Sequence, residues 1–195
     1  NRHRARVQYR STCAAFLFLS SRYPILAKMP RNFKTVRELI YWEYAKLVSE
    51  KAVGERSNFK FTNHVFQKML AGQAKPASIL SENQKMFMCG EICAYCGATD
   101  KLQWEHIVPI ALGGPDTFDN MVRACAACNQ SKGPRDPYQW LLGVKPIPRL
   151  VSGKFLKVVF EEYERQQLLD SIDFMQNYRI ERVSLSSIFK LRITS

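Results

Sequence analysis

The stretch that decides the fold begins Cys93-Ala94-Tyr95-Cys96. It passes through Trp104-Glu105-His106, Gly113-Gly114-Pro115-Asp116 and Asp119-Asn120, and closes on Cys125-Ala126-Ala127-Cys128-Asn129, followed by Lys132-Gly133. Two Cys-x-x-Cys pairs separated by a loop suit one tetrahedral zinc ion, because each short turn presents two thiolates and the loop returns the second pair to the first. The spacing predicts a structural Zn2+ held by Cys93, Cys96, Cys125 and Cys128. Two disulfides, or buried cysteines at this spacing by chance, are the plainer alternatives. Disulfides need an oxidising compartment, and nothing secure in the chain points to one, so a reducing, cytoplasmic location is expected.

Taken in order, Cys-x-x-Cys, Glu-His-Ile-Val-Pro from Glu105 to Pro109, Gly-Gly, Asp-Asn and Cys-x-x-Cys-Asn, this stretch resembles the HNH endonuclease family in its zinc-bearing form. The resemblance covers about a fifth of the chain, and its specificity lies in several spaced elements matching in order. It implies a ββα-metal fold, two strands and a helix around one catalytic metal, and metal-dependent cleavage of phosphodiester bonds that leaves 5′-phosphate and 3′-hydroxyl ends. It also implies roles: His106 as general base, Glu105 as acidic metal ligand, Asn120 as the residue holding loop and histidine in place, and Asn129 as second metal ligand. Two positions depart from the family's pattern. Glutamate stands at 105 where aspartate is common, and asparagine at 129 where histidine is frequent, which leaves the choice of metal open.

The residues make chemical sense without the family. Phosphodiester hydrolysis needs a base to activate water and a divalent cation at the scissile phosphate. His106 is the only histidine between residues 65 and 195, so an imidazole base in that half of the chain is this one. The carboxylate of Glu105 and the amide oxygen of Asn129 are hard ligands, which favour Mg2+ or Mn2+ over zinc at such a second site. On a helix Asn129 and Lys132 share a face. Lys132 is read either as a phosphate contact or as a solvated charge, and Arg123 as a further nucleic-acid contact. Glu105 and His106 are adjacent, so a regular strand points them to opposite faces; one metal site can use both only if the strand twists or ends there, and Pro109 makes an early end reasonable. Each residue also has a bland reading: core histidine, solvent-facing glutamate, turn asparagine, helix cap. Trp104 and Phe118 are read as small-core residues rather than stacking platforms.

Charge narrows the partner. The chain of 195 residues carries a formal charge of +12, which suggests a polyanion such as nucleic acid. The excess is uneven: residues 1 to 37 hold nine basic and no acidic residues, whereas 93 to 133 hold three basic against four acidic. Affinity for nucleic acid, taken as double-stranded DNA, must then come mainly from the flanks and a bound metal.

Outside the motif the reading is helical. Residues 1–28 form a basic tail with a short apolar run from Cys13 to Leu19, the outline of a targeting peptide. The preferred reading takes Met29 as the natural start and the tail as upstream translation or a disordered basic arm. In the region 29–88, Thr35 and Glu38 have capping-box spacing ahead of a helix that Gly54 follows. A second helix is expected from about Asn63 to Ala71 with His64 at its start, and a third from Ile79 to Met88; Cys89 is read as a bystander. The module proper is 89–134. In 135–195, Asp136-Pro137 predicts a helix start, Pro146 and Pro148 a linker, and residues 154 to 177 a long helix whose apolar face packs on the N-terminal helices or, as a sharper reading, forms a homodimer. The final basic positions Arg179, Arg182, Lys190 and Arg192 read as a basic strand or short helix at the nucleic-acid surface, or as an exposed tail. No segment is apolar enough to span a membrane.

The expectation is an α+β protein: a zinc-stapled ββα-metal module in mainly helical flanks, acting as a DNA endonuclease. A non-catalytic zinc-ribbon module that binds nucleic acid or protein is the alternative, and the joint presence of Glu105, His106 and Asn129 separates the two. A toxin with the same chemistry, restrained by a partner immunity protein, is a third.

Overall fold

The computed structural model describes residues 33–74, 91–141 and 144–171. The tail before Met29, the expected helix from Ile79 to Met88, Cys89 and the basic residues from Arg179 onward lie outside the described residues.

Helix α1 (Val36–Val53) starts where Thr35 Oγ1 accepts the Glu38 N–H at 3.2 Å. The Glu38 carboxylate reaches back to the Lys34 N–H at 2.8 Å, one residue before the cap, so the reciprocal capping bond forms in shifted register. Gly54 ends α1 in the left-handed region. Helix α2 (Phe59–Leu70) begins four residues earlier than expected, because Asn58 accepts the Phe61 N–H and serves as cap. His64 therefore lies on the exposed side of the helix, a turn inside its start.

The centre of the chain forms a two-stranded antiparallel sheet, β1 (Leu102–His106) and β2 (Met121–Cys125), with Trp104 opposite Arg123 and His106 opposite Met121. Two single-turn 3-10 segments, Ile110–Leu112 and Phe118–Asn120, shape the connecting loop. Helix α3 (Ala126–Lys132) follows β2 directly, completing strand, strand and helix. Helix α4 (Pro137–Leu141) has the expected start: Asp136 Oδ1 accepts the Tyr138 and Gln139 N–H groups at 2.8 and 3.0 Å.

The C-terminal helix differs from its expected span. Helix α5 runs Arg149–Arg165, so Pro148 is its N-cap residue rather than part of a loose linker. It stops at a Schellman turn, in which Leu168 N–H bonds Tyr163 O at 2.9 Å and Gln167 N–H bonds Glu164 O at 3.0 Å. Gln167 takes the left-handed conformation usually given to glycine (φ 59°). The chain then turns back, burying Leu169 and pairing Asp170 with Arg37.

The apolar face of α5 is spent inside the chain. Val151, Phe155, Leu156, Val159 and Tyr163 join Val36, Leu39, Ile40, Tyr44 and Leu47 of α1 in one cluster that also takes in Ile107, Val108 and Val122 of the central module. Tyr44 donates to Gly153 O at 3.3 Å, tying α1 to α5. The module and its helical flanks thus share a core. No helix among the described residues is long and apolar enough to cross a membrane.

Candidate active site and metal centre

The four cysteines converge. Their Sγ atoms lie within 4.8 Å of one another, and the Cys96 to Cys125 separation is 3.7 Å, close to the edge of a tetrahedron with Zn–S bonds of roughly 2.3 Å. The first pair sits on a knuckle closed by Cys93 N–H to Ala98 O at 2.7 Å and by Gly97 in the left-handed region. The second pair straddles the start of α3: Cys125 is its cap, and its sulfur accepts the Cys128 N–H. Burial opposes the Cys93 thiolate, but the N–H groups of Cys125, Cys96 and Tyr95 outweigh it and pull the thiol down to about 7. Burial and then the neighbouring sulfurs Cys96 and Cys125 push Cys128 up. A sulfur cage with one ready thiolate and another that resists ionising is what a dication resolves, and the donor set fits zinc.

Strand alternation divides the remaining residues. Leu102, Trp104 and His106 share one face of the sheet with Arg123 and Met121, while Glu105 faces the opposite side with Val122 and Ala124. His106 stands on the open face, its side chain 30% exposed, with Nε2 at 2.9 Å from Asp116 Oδ1. Its backbone is held from the other side. Asn120, fully buried, accepts the Val108 N–H at 2.9 Å and donates to Val108 O at 2.8 Å and Pro115 O at 2.9 Å, while its own carbonyl accepts the Ile107 N–H at 2.7 Å. One asparagine thus stitches the residues after His106 to the loop that carries Asp116. Gly114 belongs to the same clamp, since a Cβ there would stand 2.0 Å from Val108 O and 2.9 Å from Asn120 Nδ2.

Glu105 and Lys132 lie elsewhere than expected. Glu105 is 5% exposed; Tyr95 donates to its Oε2 at 2.8 Å and Lys132 Nζ bonds its Oε1. Lys132, 1% exposed, also donates to His106 O at 2.9 Å. Lys132 is thus neither a solvated charge nor turned toward a phosphate: its face of α3 packs on the sheet, where Glu105 is the counter-charge. Burial lowers its pKa, opposed by the Glu105 charge. Each oxygen of Glu105 already accepts one bond and the Lys132 ammonium stands beside it, so in this arrangement the carboxylate is a poor site for a second cation. Asn129, also expected there, is partly buried one turn before Lys132, and its backbone carbonyl accepts the Gly133 N–H.

Three features were not read from the sequence. Asp116 is a partner of His106, and only the Gly-Gly-Pro-Asp turn signalled it. Trp104 and Phe118 are not core residues: they are 47% and 43% exposed and meet edge to face at 5.3 Å. Lys154, on α5, donates to Phe118 O at 2.8 Å and Met121 O at 2.7 Å, and its neighbour Lys157 pairs with Asp119 at 2.6 Å. Helix α5 therefore grips both ends of the turn that bears Asn120.

A β-hairpin running into a helix, with a four-thiol centre at that helix's start and a histidine on the open sheet face, makes up a small ββα module. Comparison with protein families agrees: residues 93–135 match the family model described as HNH endonuclease. Helices α1, α2, α4 and α5 lie outside the match. No curated protein and no solved structure matches the chain.

Proposed function

We propose that the chain is a zinc-stapled endonuclease that hydrolyses phosphodiester bonds in DNA, with His106 as general base. The observation that carries this reading is the His106 and Asp116 pair on the open face, above a backbone clamped by Asn120. With Nε2–H donating to Asp116, the tautomer leaves Nδ1 as the acceptor for a proton from water. That water attacks phosphorus, and the bond to the 3′ oxygen breaks, the departing oxygen taking a proton from solvent, giving 5′-phosphate and 3′-hydroxyl ends. Asp116 orients the ring and stabilises the imidazolium once it forms. Asn120 and Gly114 hold the loop that brings Asp116 to His106, and Arg123 offers a cation on the same face for phosphate. The cysteine centre carries Zn2+ and anchors α3, which at seven residues is marginal by itself.

HNH resemblance implies Mg2+ or Mn2+ as well. Because Glu105 is committed to Tyr95 and Lys132, no step is assigned to a second metal. The same observation favours the alternative of a non-catalytic zinc module that binds nucleic acid. Zinc-loaded protein and His106→Ala, with zinc content verified, should be incubated with supercoiled plasmid in Mg2+, Mn2+ or no added metal. Cleavage by the first and none by the second is expected. No cleavage by either under any condition, with zinc bound, would favour the binding module.

A further inference from the structure

We infer that the Trp104 and Phe118 surface is a stacking site for an unpaired nucleobase beside the scissile phosphate, which makes DNA with an unstacked nucleotide the preferred substrate. The inference deepens the nuclease reading and rests on it for the position of the phosphate.

Two large aromatic side chains stand open on a protein that has room for aromatic residues in its core, as Phe155 and Tyr44 show. Burying them would be favourable, so their exposure asks for an occupant. Their setting specifies its chemistry. Arg123 lies over the Trp104 ring at 5.1 Å and Lys154 over the Phe118 ring at 4.7 Å, so a cation flanks each aromatic group. An apolar protein partner would meet the Arg123 charge, and His106 beyond it, within the same patch. A nucleotide has a flat apolar base for the rings and an anionic phosphate for Arg123.

Position ties the surface to the reaction. Trp104 and His106 are two residues apart on one face of β1, roughly 7 Å along a strand, so a base on Trp104 belongs to a nucleotide near the bond His106 addresses. Within a duplex both faces of a base are covered by its neighbours. Only an unpaired or extruded base can offer a face to an indole on a sheet surface.

The test uses zinc-loaded full chain and fluorescein-labelled duplexes, fully paired or carrying one unpaired thymine, titrated without added divalent metal so that binding is read apart from cleavage. Wild type should bind the bulged duplex more tightly. Trp104→Ala should lose roughly fivefold or more in affinity for the bulge with affinity for the paired duplex unchanged, and Trp104→Phe should keep the preference. Phe118→Ala supplies an independent variant on the same surface and should act in the same direction. Equal binding of the two duplexes by wild type, or an equal loss on both in Trp104→Ala, overturns the inference. A bulge preference without cleavage under any metal condition would sink the nuclease reading, and with it the placing beside a scissile phosphate, while leaving the stacking site; cleavage with no preference would overturn the stacking site and leave the nuclease reading.

Discussion

Glu105 and His106 are neighbours in sequence and opposites in environment, and strand alternation is the cause. The adjacency already showed this tension, and the structure resolves it by sending Glu105 inward. What the sequence did not reveal is where the glutamate goes, because its partners Tyr95 and Lys132 come from the knuckle and from α3, elements whose packing no local pattern encodes. Removing one partner of a buried ion pair leaves the other charge unsatisfied, so Lys132→Met should cost about 3–5 kcal/mol. Adding Glu105→Gln should restore much of that, and chemical denaturation of both variants measures it. Gly114→Ala tests the clamp. Its Cβ meets a backbone carbonyl, which cannot rotate away as a side chain would, so a loss of about 2 kcal/mol or more is expected, together with weakened cleavage.

Helix α5 acts as a brace for the loop that carries Asn120. Lys154 is buried yet charged: burial lowers its pKa to about 8, Asp119 acts to raise it and Lys157 to lower it further. A lysine with a folded pKa below its unfolded value loses its proton first in the folded state. From about pH 8 up to the ordinary lysine range, stability linked to this group therefore rises with pH. The ammonium that bridges Phe118 O and Met121 O is meanwhile lost, so cleavage should fall above about pH 8 without a matching loss of stability. Lys154→Arg, which stays charged, should move that alkaline limb upward, as pH profiles of kcat would show. The end of α5 was illegible in the sequence for a definite reason: Gln167 occupies the left-handed position that glycine usually announces. Gln167→Gly should raise stability by up to about 1 kcal/mol, measurable as a higher denaturation midpoint. The starts of α1 and α4 were legible because their caps are side chains adjacent in sequence to the helices they open.

At the scale of the whole chain, the cysteine cage was readable from spacing, since it depends on residues at fixed separations, while the two strands and the short helix were legible through the family resemblance. Continuity of the core was not, because Ile107, Val108 and Val122 meet α1 and α5 only through tertiary packing. That continuity makes a prediction. Stripping the metal with a strong chelator should destabilise the helical flanks together with the module, so loss of helical circular dichroism and loss of zinc should follow one transition. The most direct test of the central claim is chemical rescue of the base. His106→Gly, zinc-loaded and otherwise folded, should fail to cleave DNA that wild type cleaves, and added imidazole should restore cleavage in proportion to its neutral form. Undiminished cleavage by His106→Gly would contradict the assignment of His106 as the base.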